Sequence, residues 1–357
     1  MGPHTSGIRL VVPGLQLVGA QLDFDGAVAD PVLDIQAESA TLTGLEVLGG
    51  PGVGLRIAGE ADLTDIHVAG QGGAGLVLLD GLHTLQDVTV ESAGGVQAGS
   101  SVLFAEGLVV RGGQRGLDTS LGVYVLWSST FEQVSGRAVR VGAGGAVFFD
   151  GGSISQNGAG LQVEGRVSLQ GTTIAGNPQG GLVLAGSEAS ADLDGVVLEA
   201  NGSSGFPGFV AADGLARLHD VTVTGHTHTA LKADGHGVIT FDTNAPSTFT
   251  DNAVDLAIAG MFDRDCSYDS AMSYEICYAY ASVVGPAGSV SFDTLDVVTP
   301  DSTCALGAAG SASCWCSSDY DSGSLQSYQW CECSTSGASC GYPVCYGNPY
   351  TCECDAS

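Results

Sequence analysis

The first 265 residues of this 357-residue chain contain no cysteine, and no Lys or Arg follows Arg264. Only ten basic side chains stand against 39 acidic ones, for a formal net charge of −29. That removes nucleic acid as a partner, because phosphate binding needs clustered Lys and Arg. No run of about 18 apolar residues occurs, so no helix spans a membrane. Before residue 265 a helix is hard to place at all, since Gly, 55 residues in total, interrupts every window. The start Met1–Thr5 lacks the charged and apolar regions of a secretion signal. Charged residues make up only 14% of the chain but hydrophobic ones 44%, which fits a chain that folds and not disordered filler.

What is present is a repeat. Gly-apolar or apolar pairs recur at Leu55, Leu76, Val96, Leu117, Val139, Leu161 and Leu182, 20 to 22 residues apart, and then less evenly at Phe209, Leu231 and Leu256. The stretch 138–181 shows it best, with Val139 answering to Leu161, Ile154 to Ile174 and Asn157 to Asn177. Each unit holds short alternating runs broken by Gly and is too small to bury a core alone, so successive units must stack. A period near 22 fits one turn of a solenoid with three short strands. The longer steps place bulging loops near 187–190, 203–207 and 243–247.

The motif Gly-Leu-x-Val followed by Gly-x-x-Ile-x-x-Asn, at 160–177 and again at 181–201, resembles that of the right-handed parallel β-helix repeat proteins of the pectate-lyase-like superfamily. The resemblance covers about residues 8–260. It implies an all-β, right-handed parallel β-helix of about ten to eleven rungs, assigned to residues 1–262; the end of the repeat and the cysteine content set apart a small acidic cysteine-rich module over 263–357. It implies no single function, since that superfamily holds lyases, hydrolases, adhesins and structural proteins.

Two columns are expected from the register. Asn157, Asn177, Asn201 and Asn252, with His226 between the last two, form a structural ladder, because Asn tolerates tight turns and can bond from rung to rung. Asp65, Asp87, Glu106, Asp150, Asp194, Asp220 and Asp242 form an acidic file. Carboxylates about 4.8 Å apart repel unless each is satisfied locally or shares a cation. The file is therefore read as turn-forming acids, with a calcium ladder as the alternative; no cofactor is required.

All eleven cysteines lie in the tail: Cys266, Cys277, Cys304, Cys314, Cys316, Cys331, Cys333, Cys340, Cys345, Cys352 and Cys354. Cys-x-Cys is not the Cys-x-x-Cys of zinc knuckles, so disulfides are expected, with one thiol unpaired within the chain or intermolecular. Such density indicates an oxidising, secreted or cell-surface setting. The module is suited to capping the last rung or joining another copy.

In the enzymes this chain resembles, the active site lies on the outer face of the strand that here begins Gly-Leu. Alternate positions of that strand bring Asp118, Arg140 and Glu164 onto three consecutive rungs, with Lys232 and Asp234 further on. These are the catalytic candidates for a polysaccharide lyase or glycosidase, which needs a base and a cation or two facing carboxylates. The face is interrupted by Val77, Val183 and Val210, which favours ordinary cross-rung ion pairs. His226-x-His228 has acceptable metal-ligand spacing, and Tyr124, Trp127 and Phe131 are candidates for a sugar-stacking platform. The function read from the sequence is an extracellular or cell-surface structural or adhesive β-helix, associating with itself through its ends or tail, or with extracellular polysaccharide. The alternatives are a carbohydrate-active enzyme and a calcium-dependent binding module.

Overall fold

Every rung carries the same instruction: apolar residues at alternate positions of three short strands, separated by turns that need glycine or another residue tolerant of positive φ. In the computed structural model these strands pair in parallel with their equivalents one repeat away. Val139 lies opposite Leu161 and Ile154 opposite Ile174. The chain is an all-β parallel β-solenoid of about 11 turns. The structure describes residues 7–24, 31–203, 205–234, 237–241, 245 and 247–259, with only strand segments beyond. The chain divides into two compact units, Met1–Leu182 and Val183–Ser357. The boundary expected at 262/263 lies outside the described residues, as do the side chains of all eleven cysteines.

Three faces run along the first unit. The strand Leu55–Ala69 turns through all three without a break in strand structure. Its segments pair with Leu76–Leu78 on the first face and with Gly81–Glu91 on the second and third. Inward side chains stack in files: Leu55, Leu76, Val96, Leu117, Val139 and Leu161 on the first face, and Val68, Val90, Val110, Phe131, Ile154 and Ile174 on the third, each 2% exposed or less. Burying one such side chain contributes about 1.5–3 kcal/mol, so each added rung stabilises its neighbour. Where the interior is tightest only Gly fits. A Cβ on Gly160 would overlap the carbonyl of Gly181 on the next rung.

The corner between the second and third faces explains the acidic residues and corrects the expected file. This corner is held at positive φ by Gly44, Asp65, Asp87, Gly107, Ser128, Gly151 and Gly171 in successive rungs, and by Gly195 and Asp220 in the second unit. Its N–H groups donate to the next rung, as from Gly107 to Trp127 (3.0 Å) and from Ser128 to Asp150 (2.9 Å). Asp tolerates this left-handed conformation better than most residues. Glu106, Asp150 and Asp194 are not in the corner. They end the preceding strands, where Glu106 pairs with Gln86 and Trp127, and Asp150 with Trp127 and Gln170. The six described acids therefore occupy two adjacent positions, not one, and Asp242 lies outside the described residues.

The asparagine ladder is present within each unit. Asn177 Oδ1 accepts the backbone N–H of Asn157 (2.9 Å), and its Nδ2 donates to the carbonyl of Ile154 (3.0 Å). Asn157 repeats this one rung earlier, with Val134 N–H and the Phe131 carbonyl. In the second unit Asn252 clamps the backbone of His226 and Val223 in the same way. Asn201 is buried in its own turn.

Candidate functional site

The outer row of the first face is in register over the whole first unit: Arg9, Asp34, Arg56, Val77, Gln97, Asp118, Arg140 and Gln162. Two charged groups form along it. At the N-terminal end Asp34 is buried and accepts from Arg9 Nε (2.8 Å), Arg56 Nε (3.0 Å), Arg56 Nη2 (2.8 Å) and Gln36 Nε2 (3.1 Å). The Arg56 hydrogen bond, assisted by Arg9 and opposed by burial, holds its carboxyl below the usual carboxylate range.

The second group holds the catalytic candidates. Arg140 lies between two carboxylates, with Nη1 3.6 Å from Asp118 and Nη2 3.2 Å from Glu164. Gln162 also donates to Glu164 (3.2 Å), and Arg115 reaches Asp118 at 3.8 Å. The structure thus brings Asp118, Arg140 and Glu164 together as expected, but as a cross-rung ion-pair chain. Both carboxylates are engaged by Arg140, which leaves no free pair facing across open space. Lys232 and Asp234 belong to the second unit, where they pair with each other at 2.6 Å.

Beside this chain a groove of about 410 Å³ opens, lined by Gln114, Arg115, Asp118, Arg137, Arg140 and Gln179 among others. Three of the ten basic residues of the chain therefore line one depression. Arg115 and Arg137 stand directly opposite on neighbouring rungs. Like charges so placed are destabilising. Arg137 makes no ion pair among the described residues, and burial, Arg140 and Arg115 together lower its pKa. Sequence reading missed Arg115 and Arg137 because both precede the Gly-Leu strand core from which alternate positions were counted.

The histidine pair expected from its spacing is split. His226 is buried in the asparagine column, its Nδ1 2.9 Å from Asn252 Oδ1, whereas His228 is exposed; the expected shared side is not formed. His219 lies 3.7 Å from Asp194, and His236 is outside the described residues. No group of three or more His, Cys, Asp or Glu side chains is placed to hold a metal ion among the described residues. The aromatic platform is also different from expectation. Tyr124 and Phe131 are core residues, and Trp127 alone of the three is exposed, stacked on Phe104 at 6.0 Å between ring centroids.

No family model matches the chain, and no curated protein does. Among solved structures the chain is similar to the gp42 tailspike of Acinetobacter phage vb_AbaP_AS12, at 8% sequence identity and a TM-score of 0.39, over 94% of this chain and 77% of that one. At that level of likeness the fold rests on the strand pairing above. No helix among the described residues is long and apolar enough to cross a membrane.

Proposed function

We propose that this chain is an extracellular or cell-surface β-helix of the structural or adhesive kind, which holds an acidic polysaccharide along its first face without cleaving it. The observation that carries this reading is the gathering of Arg115, Arg137 and Arg140 in one groove of a chain with so few bases. Arginine is suited to carboxylates and sulfates because its planar fork donates in pairs. The amides of Gln114 and Gln179, which line the same groove, suit sugar hydroxyls. A rigid row of rungs about 4.8 Å apart presents these groups at a spacing close to that of successive sugars in a chain. Binding is favoured over cleavage because Arg140 occupies both candidate carboxylates. The cysteine-rich tail is assigned to capping or to joining copies.

Oligogalacturonate and its methyl ester, titrated calorimetrically into the full chain, test the reading. The acidic form is expected to bind, with affinity falling as salt rises, and Arg115→Gln and Arg137→Gln to weaken it about tenfold each. Absence of binding to both forms overturns the reading. Shortening of the acidic oligosaccharide by the wild-type chain, lost in Asp118→Ala, would establish the enzyme instead.

A further inference from the structure

The second face of the first unit carries a feature the groove does not use. Its outward side chains form three files across six rungs, in register. Five of the twelve large apolar side chains exposed among the described residues lie there: Leu82, Val102, Val123, Trp127 and Phe148. Half-buried Phe104 and Val125 fill the gaps between them. The patch is bounded by charge at both ends, Glu60 and Asp62 on the first rung and Arg166 on the last. Apolar patches of a few hundred Å² are often functional, and the polar groups set among this one decide what it can meet.

We propose that this face pairs with the same face of a second copy, the two solenoids running antiparallel about a two-fold axis parallel to the strands. The charge pattern selects the occupant and the direction. Such an axis keeps each file against itself and reverses the order of the rungs. In the first file Glu60 then meets Arg166, Leu82 meets Ala146 and Val102 meets Val123. In the second, Asp62 meets Ser168, Thr84 meets Phe148 and Phe104 meets Val125. In the third, Glu106 meets Trp127, and Asp150 meets Gln86. Every acid faces a hydrogen-bond donor of the other copy, no acid faces an acid, and the bulkiest side chains face smaller ones. The alternative two-fold axis, along the solenoid, sets Val102 against Glu106 and Ala146 against Asp150, burying carboxylates on apolar groups at a cost.

The face is small. Five rung intervals of about 4.8 Å by five residues of about 3.3 Å give roughly 400 Å² per copy. That is below the roughly 800 Å² per partner of standard interfaces, so the dimer is weak and concentration-dependent.

Sedimentation velocity of the full chain from micromolar to millimolar concentration, with and without reductant, tests the pairing. A monomer–dimer equilibrium unmoved by reductant is expected. Val123→Glu and Phe148→Asp shift it to monomer, while circular dichroism reports whether each variant keeps its fold. Glu60→Arg and Arg166→Glu each weaken the dimer at least about tenfold, because each puts two like-charged pairs in contact. Mixing these two single variants restores it, since every contact in the mixed dimer is again between opposite charges. A chain that stays monomeric throughout overturns the proposal. So does association that survives Val123→Glu, or that dissolves in reductant, which would place the contact in the tail; so does a mixture no tighter than its parts.

Discussion

Asn177 accepts the backbone N–H of Asn157 at 2.9 Å and donates to the carbonyl of Ile154 at 3.0 Å, so a single side chain closes two backbone groups that the turn between faces leaves open. Both asparagines are buried, 0% and 1% exposed, and no solvent replaces the bonds if the side chain is removed. Asn157, Asn177 and Asn252 are thus backbone clamps, and Asn252 in addition meets the side chains of His226 and Asp255.

Truncation of a clamp should therefore be costly. Asn177→Ala leaves a buried N–H and a buried C=O unsatisfied, and about 2–5 kcal/mol of stability is expected to be lost. Denaturant unfolding with the midpoint compared at equal slope measures it. Asn177→Asp keeps the acceptor but sets a charge against the Ile154 carbonyl, and is expected to be no better than alanine. A loss below about 1 kcal/mol for both would show that the clamp is dispensable.

The corner makes the opposite kind of prediction. Asp87 sits at φ 54°, and its conformation, not its charge, suits the position. Asp87→Gly and Asp87→Asn are expected to leave the melting temperature nearly unchanged. Asp87→Val is expected to cost about 1–2 kcal/mol, because a β-branched side chain is strained at positive φ. A calcium ladder predicts otherwise: melting would rise with added calcium, and Asp87→Asn would reduce the rise.

These residues also show what the sequence made legible. The period and the parallel stacking could be read because Gly-Leu-x-Val and Ile-x-x-Asn repeat at one spacing, and a slip of one residue would put polar residues inside. The acidic register could not be read from spacing alone, since two neighbouring positions both admit carboxylates. A local signal separates them: Glu106, Asp150 and Asp194 are each followed by Gly, which takes the left-handed corner, whereas Asp65, Asp87 and Asp220 are followed by Ile or Val and take it themselves. Trp127 groups with Tyr124 and Phe131 when the coil is read alone, because its actual neighbours Phe104 and Phe148 come from the adjoining rungs of the second face. Arg115 and Arg137 stand opposite each other at the very start of their strands, two residues before Leu117 and Val139, which mark the repeat.

Acid sensitivity near neutrality follows from two buried imidazoles. His83 makes no hydrogen bond among the described residues, and its burial pushes its pKa below the usual histidine value, with a weaker upward pull from the nearby Leu79 backbone. Burial likewise lowers that of His226, opposed by Asn252 and the Thr224 backbone. A group with a depressed folded pKa takes up its proton first in the unfolded chain. Stability is then complete above about pH 6.5, the unfolded value, and falls as the pH drops below it, by at most about 1.4 kcal/mol per pH unit for each group. Melting is expected to be lower at pH 5 than at pH 7. His83→Leu and His226→Asn should each flatten that dependence, the second while completing the asparagine column. An unaltered slope in both variants would assign it to other groups.

The last expectation concerns the N-terminal rungs, where Asp34 ties three turns of the solenoid together through Arg9 and Arg56. Arg9 is largely exposed and Arg56 partly so, while Asp34 is buried, so the carboxylate is the member whose removal matters. Asp34→Ala leaves two guanidinium groups without their anion, and a loss of about 1–3 kcal/mol is expected at pH 7. Because the Asp34 carboxyl is held below its ordinary value, its contribution is present above about pH 3.9 and disappears as the pH falls through the lower folded value. Wild type and Asp34→Ala should thus converge in stability only in strong acid. Hydrogen exchange localises the effect: faster exchange confined to residues 8–58 is expected, because the described hydrogen-bond partners of Asp34 all lie between Arg9 and Arg56. Uniform acceleration over the whole first unit would mean that the N-terminal ion triad nucleates the stack and does more than close its end.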